Sequence, residues 1–122
     1  MHRTFLLIGA LSGVVGVTLG AFGAHGLRSR LSPDMLAVFE TGVRYHMYHA
    51  LAILGVGLIA DRMPASRLVL ASGWLFLAGI VLFSGSLYLL ATTGVRALGA
   101  VTPLGGVAFL FAWACLAVAA IR

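Results

Sequence analysis

Hydrophobic positions run through this chain in long blocks, and the few charges stand between the blocks. Charged side chains occur at Arg3; at Arg28, Arg30, Asp34, Glu40 and Arg44; at Asp61, Arg62 and Arg67; at Arg96; and at Arg122. The charge-free stretches are therefore 4–27, 45–60, 68–95 and 97–121. A helix that crosses the hydrocarbon core of a bilayer needs about 20 mainly apolar residues, and three of the four stretches supply them unaided. The second falls short. Counting back about 20 residues from Asp61 starts that helix near Thr41 and puts Arg44, His46 and His49 in its first turns. Period-2 alternation is absent, which excludes barrel strands; helices satisfy their backbone groups internally. The pattern predicts an all-α, up-down-up-down four-helix transmembrane bundle, with helices near 4–26, 38–60, 67–91 and 99–121 in a single domain. Ser32-Pro33-Asp34 has the chemistry of a helix start and predicts a short interfacial segment between helices 1 and 2.

Composition sharpens this. The chain has 122 residues, 61% of them hydrophobic and 9% charged, and a mean hydropathy of +1.10. A soluble domain carries roughly 25% charge, so a soluble enzyme is excluded, as is a disordered chain. The net charge of +5 comes from eight Arg and no Lys. These arginines form no basic stripe interleaved with aromatics, so they read as membrane-boundary markers and not as a nucleic-acid surface. Arg3, Arg62, Arg67 and Arg122 fall on one side, and Arg28, Arg30 and Arg96, plus Arg44 if it snorkels, on the other. By the positive-inside rule this narrowly favours both termini in the cytoplasm. The uncharged run after Arg3 continues to Leu27, longer than the roughly 7–15 residues of a signal-peptide core, so it is expected to remain as helix 1. Cys115 is the single cysteine, which excludes an intrachain disulfide.

The sixteen glycines are not linker glycines. Gly9, Gly13, Gly16, Gly20 and Gly23 fall within about 80° of arc on helix 1. Helix 4 carries a second small stripe at Gly105, Ala108, Ala112, Cys115 and Ala119. Apolar burial drives helices together only weakly in lipid, so such stripes predict close backbone packing. Helices 1 and 4 are each expected to pack tightly, with one another as one arrangement, or one stripe to form a homodimer seam.

The topology brings the end of helix 1, the start of helix 2, the end of helix 3 and the start of helix 4 to one membrane face. The unusual polar residues lie there: His25; Glu40, Thr41, Arg44, Tyr45, His46, Tyr48 and His49; Ser84, Ser86 and Tyr88; Thr102. Glu40 and Arg44 can form an i,i+4 ion pair on helix 2. His49 lies deep enough to need a partner inside the bundle, and Ser84, Ser86 and Thr102 are the expected partners. Convergence of His25, His46 and His49 on a metal, proton handling by the histidines and Glu40, and bis-histidine haem ligation are the functional alternatives to such bracing. No nucleophile elbow, phosphate loop or H-E-x-x-H is present. Thr102 and Pro103 read as the cap and first turn of helix 4.

Four motifs in order, Ala21-Phe-Gly-Ala-His-Gly-Leu27, Thr41-Gly with Tyr45-His-x-x-His49-Ala-Leu, Ser84-Gly-Ser-Leu-Tyr88 and Thr102-Pro-Leu-Gly-Gly106, resemble the YgdD/YwdK-like family, domain of unknown function 423. The resemblance covers essentially the whole chain. It implies a four-helix integral membrane protein, located in bacteria in the inner membrane, without an established activity. The family's pattern maps onto His25, Thr41, Tyr45, His49, Ser86, Tyr88, Thr102 and Pro103; Glu40, Arg44 and His46 are not firm parts of it. The expectation is a multi-pass, non-enzymatic accessory or scaffold protein with no catalytic residues, metal or cofactor. A polar pocket is formed by His25, Thr41, Tyr45, His49, Ser86, Tyr88 and Thr102, with Glu40, Arg44 and His46 at its periphery. The alternative is binding or transport of a proton, metal ion or small polar headgroup. Its partners are the lipid bilayer and a homo-oligomer or larger membrane complex.

Overall fold

Two of the helices begin where a serine side chain can satisfy a free backbone N–H. The computed structural model describes all 122 residues. It contains α1 (His2–His25), α2 (Pro33–Arg62), α3 (Arg67–Thr93) and α4 (Thr102–Ala120), and no strand. With the 3₁₀ turn Arg96–Ala100 that leads into α4, all four are long and apolar enough to cross a membrane. Ser32 accepts the Met35 N–H at 3.2 Å, Pro33 fills the first turn and Asp34 faces the helix dipole. These residues therefore start α2 itself, five residues earlier than hydrophobicity suggests, and the segment before it contracts to a turn. Ser66 caps α3 in the same way through the Val69 N–H at 3.3 Å. Gly94, in the left-handed region at φ 73°, ends α3. The proposed Thr102 cap is not formed: the cap position of α4 is Val101, and the Thr102 hydroxyl is engaged elsewhere.

The central pair is α2 and α3. α1 packs along α2, and α4 packs along α3. Each outer helix also reaches across the pair: Phe5 of α1 lies edge-on to Trp74 of α3, and Phe109 of α4 stacks on His49 of α2. Helices α1 and α4 flank the pair and do not pack together, which corrects the expected α1–α4 seam. The glycines of α1 serve α2 instead. A Cβ at Gly9 would lie 2.9 Å from the Leu54 backbone nitrogen, and one at Gly23 would lie 2.8 Å from the Phe39 ring. Gly13, one member of the stripe, meets nothing within 4 Å.

Two apolar clusters fill the interior. The larger contains Phe5, Ile53, Val56, Val69, Phe76, Phe109 and Ala112 among its members; the smaller joins Leu27, Phe39 and Ala91 at the other end. Between them α3 loosens into a π-helical turn at Ile80–Ser84. That wide turn carries the Phe83 backbone against α4, and a Cβ at Gly105 would overlap the Phe83 nitrogen. Only a glycine fits there. Gly105→Ala is therefore expected to destabilise the bundle by about 1–3 kcal/mol, the usual cost of overpacking. Gly13→Ala, in open space, is expected to be neutral; thermal unfolding of the two variants in detergent checks the contrast.

Candidate functional site

The polar side chains do not close a single pocket. They form a layer between the two apolar clusters, from Ser12, His46 and His49 near the midpoints of their helices to Ser86 and Thr102 nearer the helix ends. α1 and α2 are in register there, because a Cβ on Gly16 of α1 would fall 3.4 Å from the His46 ring. His46 is buried, with 4% of its surface exposed. Its Nε2 meets the Ser12 hydroxyl at 3.0 Å, and its Nδ1 meets the Tyr88 hydroxyl at 2.8 Å. One imidazole thus ties α1, α2 and α3 together. Ser12 lies near the midpoint of the 24-residue α1, so the bond sits near the centre of the bundle's thickness.

His49, 5% exposed, makes the matching link on the other side of the central pair. The Trp113 indole N–H donates to its Nε2 at 3.2 Å, and its Nδ1 lies 2.7 Å from the Tyr45 carbonyl. An indole can only donate and a carbonyl can only accept, so Nδ1 carries the ring proton. The ring stacks on Phe109 with centroids 3.6 Å apart and planes 6° apart. This packing holds the imidazole flat between α2 and α4.

Two further bonds complete the layer. Ser84, at the end of the π turn, donates to the Gly42 carbonyl of α2 at 2.6 Å. Gly42 lets α3 approach, since a Cβ there would press 2.9 Å from the Tyr88 ring. Ser86 and Thr102 share a hydrogen bond at 2.6 Å, joining α3 to α4. Every buried polar side-chain atom has a partner.

The expected pocket residues therefore separate. Ser86 pairs with Thr102 and Tyr88 with His46, while His49 binds Trp113 and not a serine or Thr102. Thr41 turns back to the Ala37 carbonyl of its own helix at 2.9 Å. His25 is exposed at the end of α1, and Glu40 and Arg44 are exposed on α2. Glu40 and Arg44 form no ion pair; the one salt bridge joins His2 to Asp61 at 3.6 Å. His46, expected at the periphery, is the central residue. His25, His46 and His49 do not converge into a metal-ligand group. Sequence reasoning missed Ser12 and Trp113. Each is an isolated hydrogen-bonding group in an apolar run, and only the depth of the facing histidine could have pointed to it.

Two grooves open sideways from the layer towards the lipid. One, of about 450 Å³, is lined by Tyr45, His49, Phe83, Pro103, Phe109 and Trp113 among others. The second, of about 400 Å³, lies between α1 and α3 with Ser12 and His46 at its wall. Both are almost wholly apolar. If the His46–Tyr88 bond braces the bundle, Tyr88→Phe and His46→Leu should be non-additive. The expected coupling is about 0.6 kcal/mol and up to about 1.7, the range for interhelical bonds in membranes. A double-mutant cycle of unfolding in detergent measures it, and strict additivity would remove the bond from the account.

The chain's relatives share its setting. The family model described as "Protein of unknown function (DUF423)" matches residues 19–106, a stretch that holds both histidines but neither Ser12 nor Trp113. The UPF0382 membrane protein YwdK of Bacillus subtilis is 50% identical over 120 residues, 98% of each chain. A UPF0382 membrane protein of Staphylococcus epidermidis is 46% identical over 120 residues, 98% of this chain and 97% of its own. Another, of Staphylococcus saprophyticus, is 46% identical over 116 residues, 95% of each chain. No solved structure matches. The chain is a polytopic membrane protein and belongs to the DUF423 family, whose curated relatives are the UPF0382 membrane proteins.

Proposed function

We propose that this protein is a non-enzymatic accessory or scaffold component of the bacterial inner membrane, a small rigid frame against which other membrane components assemble. The observation that carries the reading is the closure of the polar layer: each buried side-chain nitrogen and oxygen has a hydrogen-bond partner inside the bundle. Catalysis and ligand capture both need several polar groups presented to a cavity, and the two grooves are almost wholly apolar. The helical spans support the inner membrane, since outer-membrane proteins of the barrel type are built from strands. The lipid-facing surface is apolar over α1 and α4, where Leu7, Val14, Val17, Leu110 and Phe111 stand exposed.

Proton handling is the second reading. Ser12, His46 and Tyr88 form a chain of exchangeable protons near mid-membrane. That chain runs across the bundle between helices and lies in the bundle's middle, which favours a fastening role over a path. The test couples two measurements. Capture of the tagged protein in native lipid nanodiscs is expected to bring down a protein partner at fixed stoichiometry, and reconstituted liposomes are expected to hold a pH gradient as well as empty ones. A protein recovered without partners, together with a proton leak abolished by His46→Leu, would overturn the scaffold role in favour of proton handling.

A further inference from the structure

The outer face of α2 is built unlike the rest of the lipid-facing surface. Ala37, Glu40, Arg44, Tyr48, Leu51, Gly55 and Leu58 follow one another at steps of 3, 4, 4, 3, 4 and 3. Steps averaging 3.5 residues are those of a helix seam facing another helix, and these positions fall within about 80° of arc. Their side chains face outward. Tyr48, Leu51 and Leu58 are 55%, 62% and 64% exposed, Ala37, Glu40 and Arg44 are exposed, and a Cβ at Gly55 would meet nothing within 4 Å.

Depth makes this face a problem for a lone chain. Arg44 lies only about 3 Å along the axis from His46, at 1.5 Å per residue. His46 in turn hydrogen-bonds Ser12 near the midpoint of α1. Charged groups at such depth are costly in hydrocarbon and normally find a partner. Arg44 has none, since Glu40, one turn away, makes no ion pair with it.

We propose that a second copy of this chain covers the face, α2 against α2 in parallel, with Glu40 of each chain paired to Arg44 of the partner subunit. All copies insert with the same topology, so a two-fold axis along the membrane normal makes the seam parallel and self-complementary. The charges are then arranged head to tail: the acid of one helix lies beside the base of the other, twice. This is the pattern by which flanking charges fix partner and register in paired helices. Below the ion pairs, the missing side chain of Gly55 allows close backbone approach, as small residues do between membrane helices. This inference goes beyond the scaffold role proposed above and stands without it, because its test reads self-association and not capture of another protein.

The test is disulfide crosslinking in native membranes, on a Cys115→Ala background. Leu51→Cys is expected to form at least about tenfold more dimer than Val14→Cys or Leu110→Cys, equally exposed positions on α1 and α4. Within Leu51→Cys, added Gly55→Leu is expected to abolish the dimer and added Gly13→Leu to leave it unchanged; both glycines occupy open space in the single chain. Glu40→Arg and Arg44→Glu should each prevent dimerisation alone, because like charges then face one another. Co-expressed, the two variants should crosslink to each other and not to themselves. That rescue requires contact between chains, since neither chain carries an opposite-charge pair of its own. Dimers of either charge variant alone at the unmodified level would overturn the seam. So would crosslinking at Leu51→Cys no stronger than at the controls, which would mean that Arg44 reaches up to the headgroups of surrounding lipid. A crosslink that prefers Val14→Cys or Leu110→Cys would assign association to another face and reject this one. The Leu51→Cys result keeps all native charges and so holds even if a charge variant fails to fold.

Discussion

A hydrogen-bonding group inside a membrane has no water to fall back on, and the arrangement of this bundle follows from that constraint. Two imidazoles near mid-depth on α2 need four partners. They find them on every other helix and on their own backbone: Ser12 on α1, Tyr88 on α3, Trp113 on α4 and the Tyr45 carbonyl. Apolar packing alone would hold these helices only weakly, because lipid tails are as apolar as the side chains they would replace. The histidines supply direction where apolar contact supplies none. α2 becomes the hub because it carries both.

Shape and hydrogen bonding depend on one another in the same layer. The π turn of α3 ends at Ser84, whose hydroxyl bonds to the Gly42 carbonyl. Gly42 and Gly105 remove the side chains that would keep α3 from its neighbours at that level. The glycines are therefore spread over the α1–α2, α2–α3 and α3–α4 contacts. The consequence is a frame with a fixed interior and two apolar lateral grooves, a construction suited to holding a shape in lipid.

The spans were legible because charge is confined to their ends; Arg44, His46 and His49 do lie on a spanning helix, but well beyond its first turns, because α2 begins at Pro33. The polar residues of the layer were also visible, but their pairing was not. An up-down topology assigns residues to a face of the membrane without fixing the rotation of each helix. The 60° between His46 and His49 on a helical wheel is enough to send one towards α1 and the other towards α4. Ser12 and Trp113 each stand alone among apolar neighbours, so nothing local marks them as partners. The π turn leaves no periodic signal in an apolar run, and the α1 glycine stripe names a close contact without naming the helix it meets. Glu40 and Arg44 have the spacing of an ion pair, but within one chain the two exposed side chains do not meet.

The central claim is that the two imidazoles fasten the helices from inside the bundle. Magic-angle-spinning NMR of the protein in bilayers, with labelled histidine, tyrosine and tryptophan, tests it most directly. The account predicts through-space contacts from the His46 ring to Tyr88 and from the His49 ring to Trp113, with the His49 proton on Nδ1 and both rings rigid. Mobile rings that exchange with water and show no contact to either aromatic partner would contradict it.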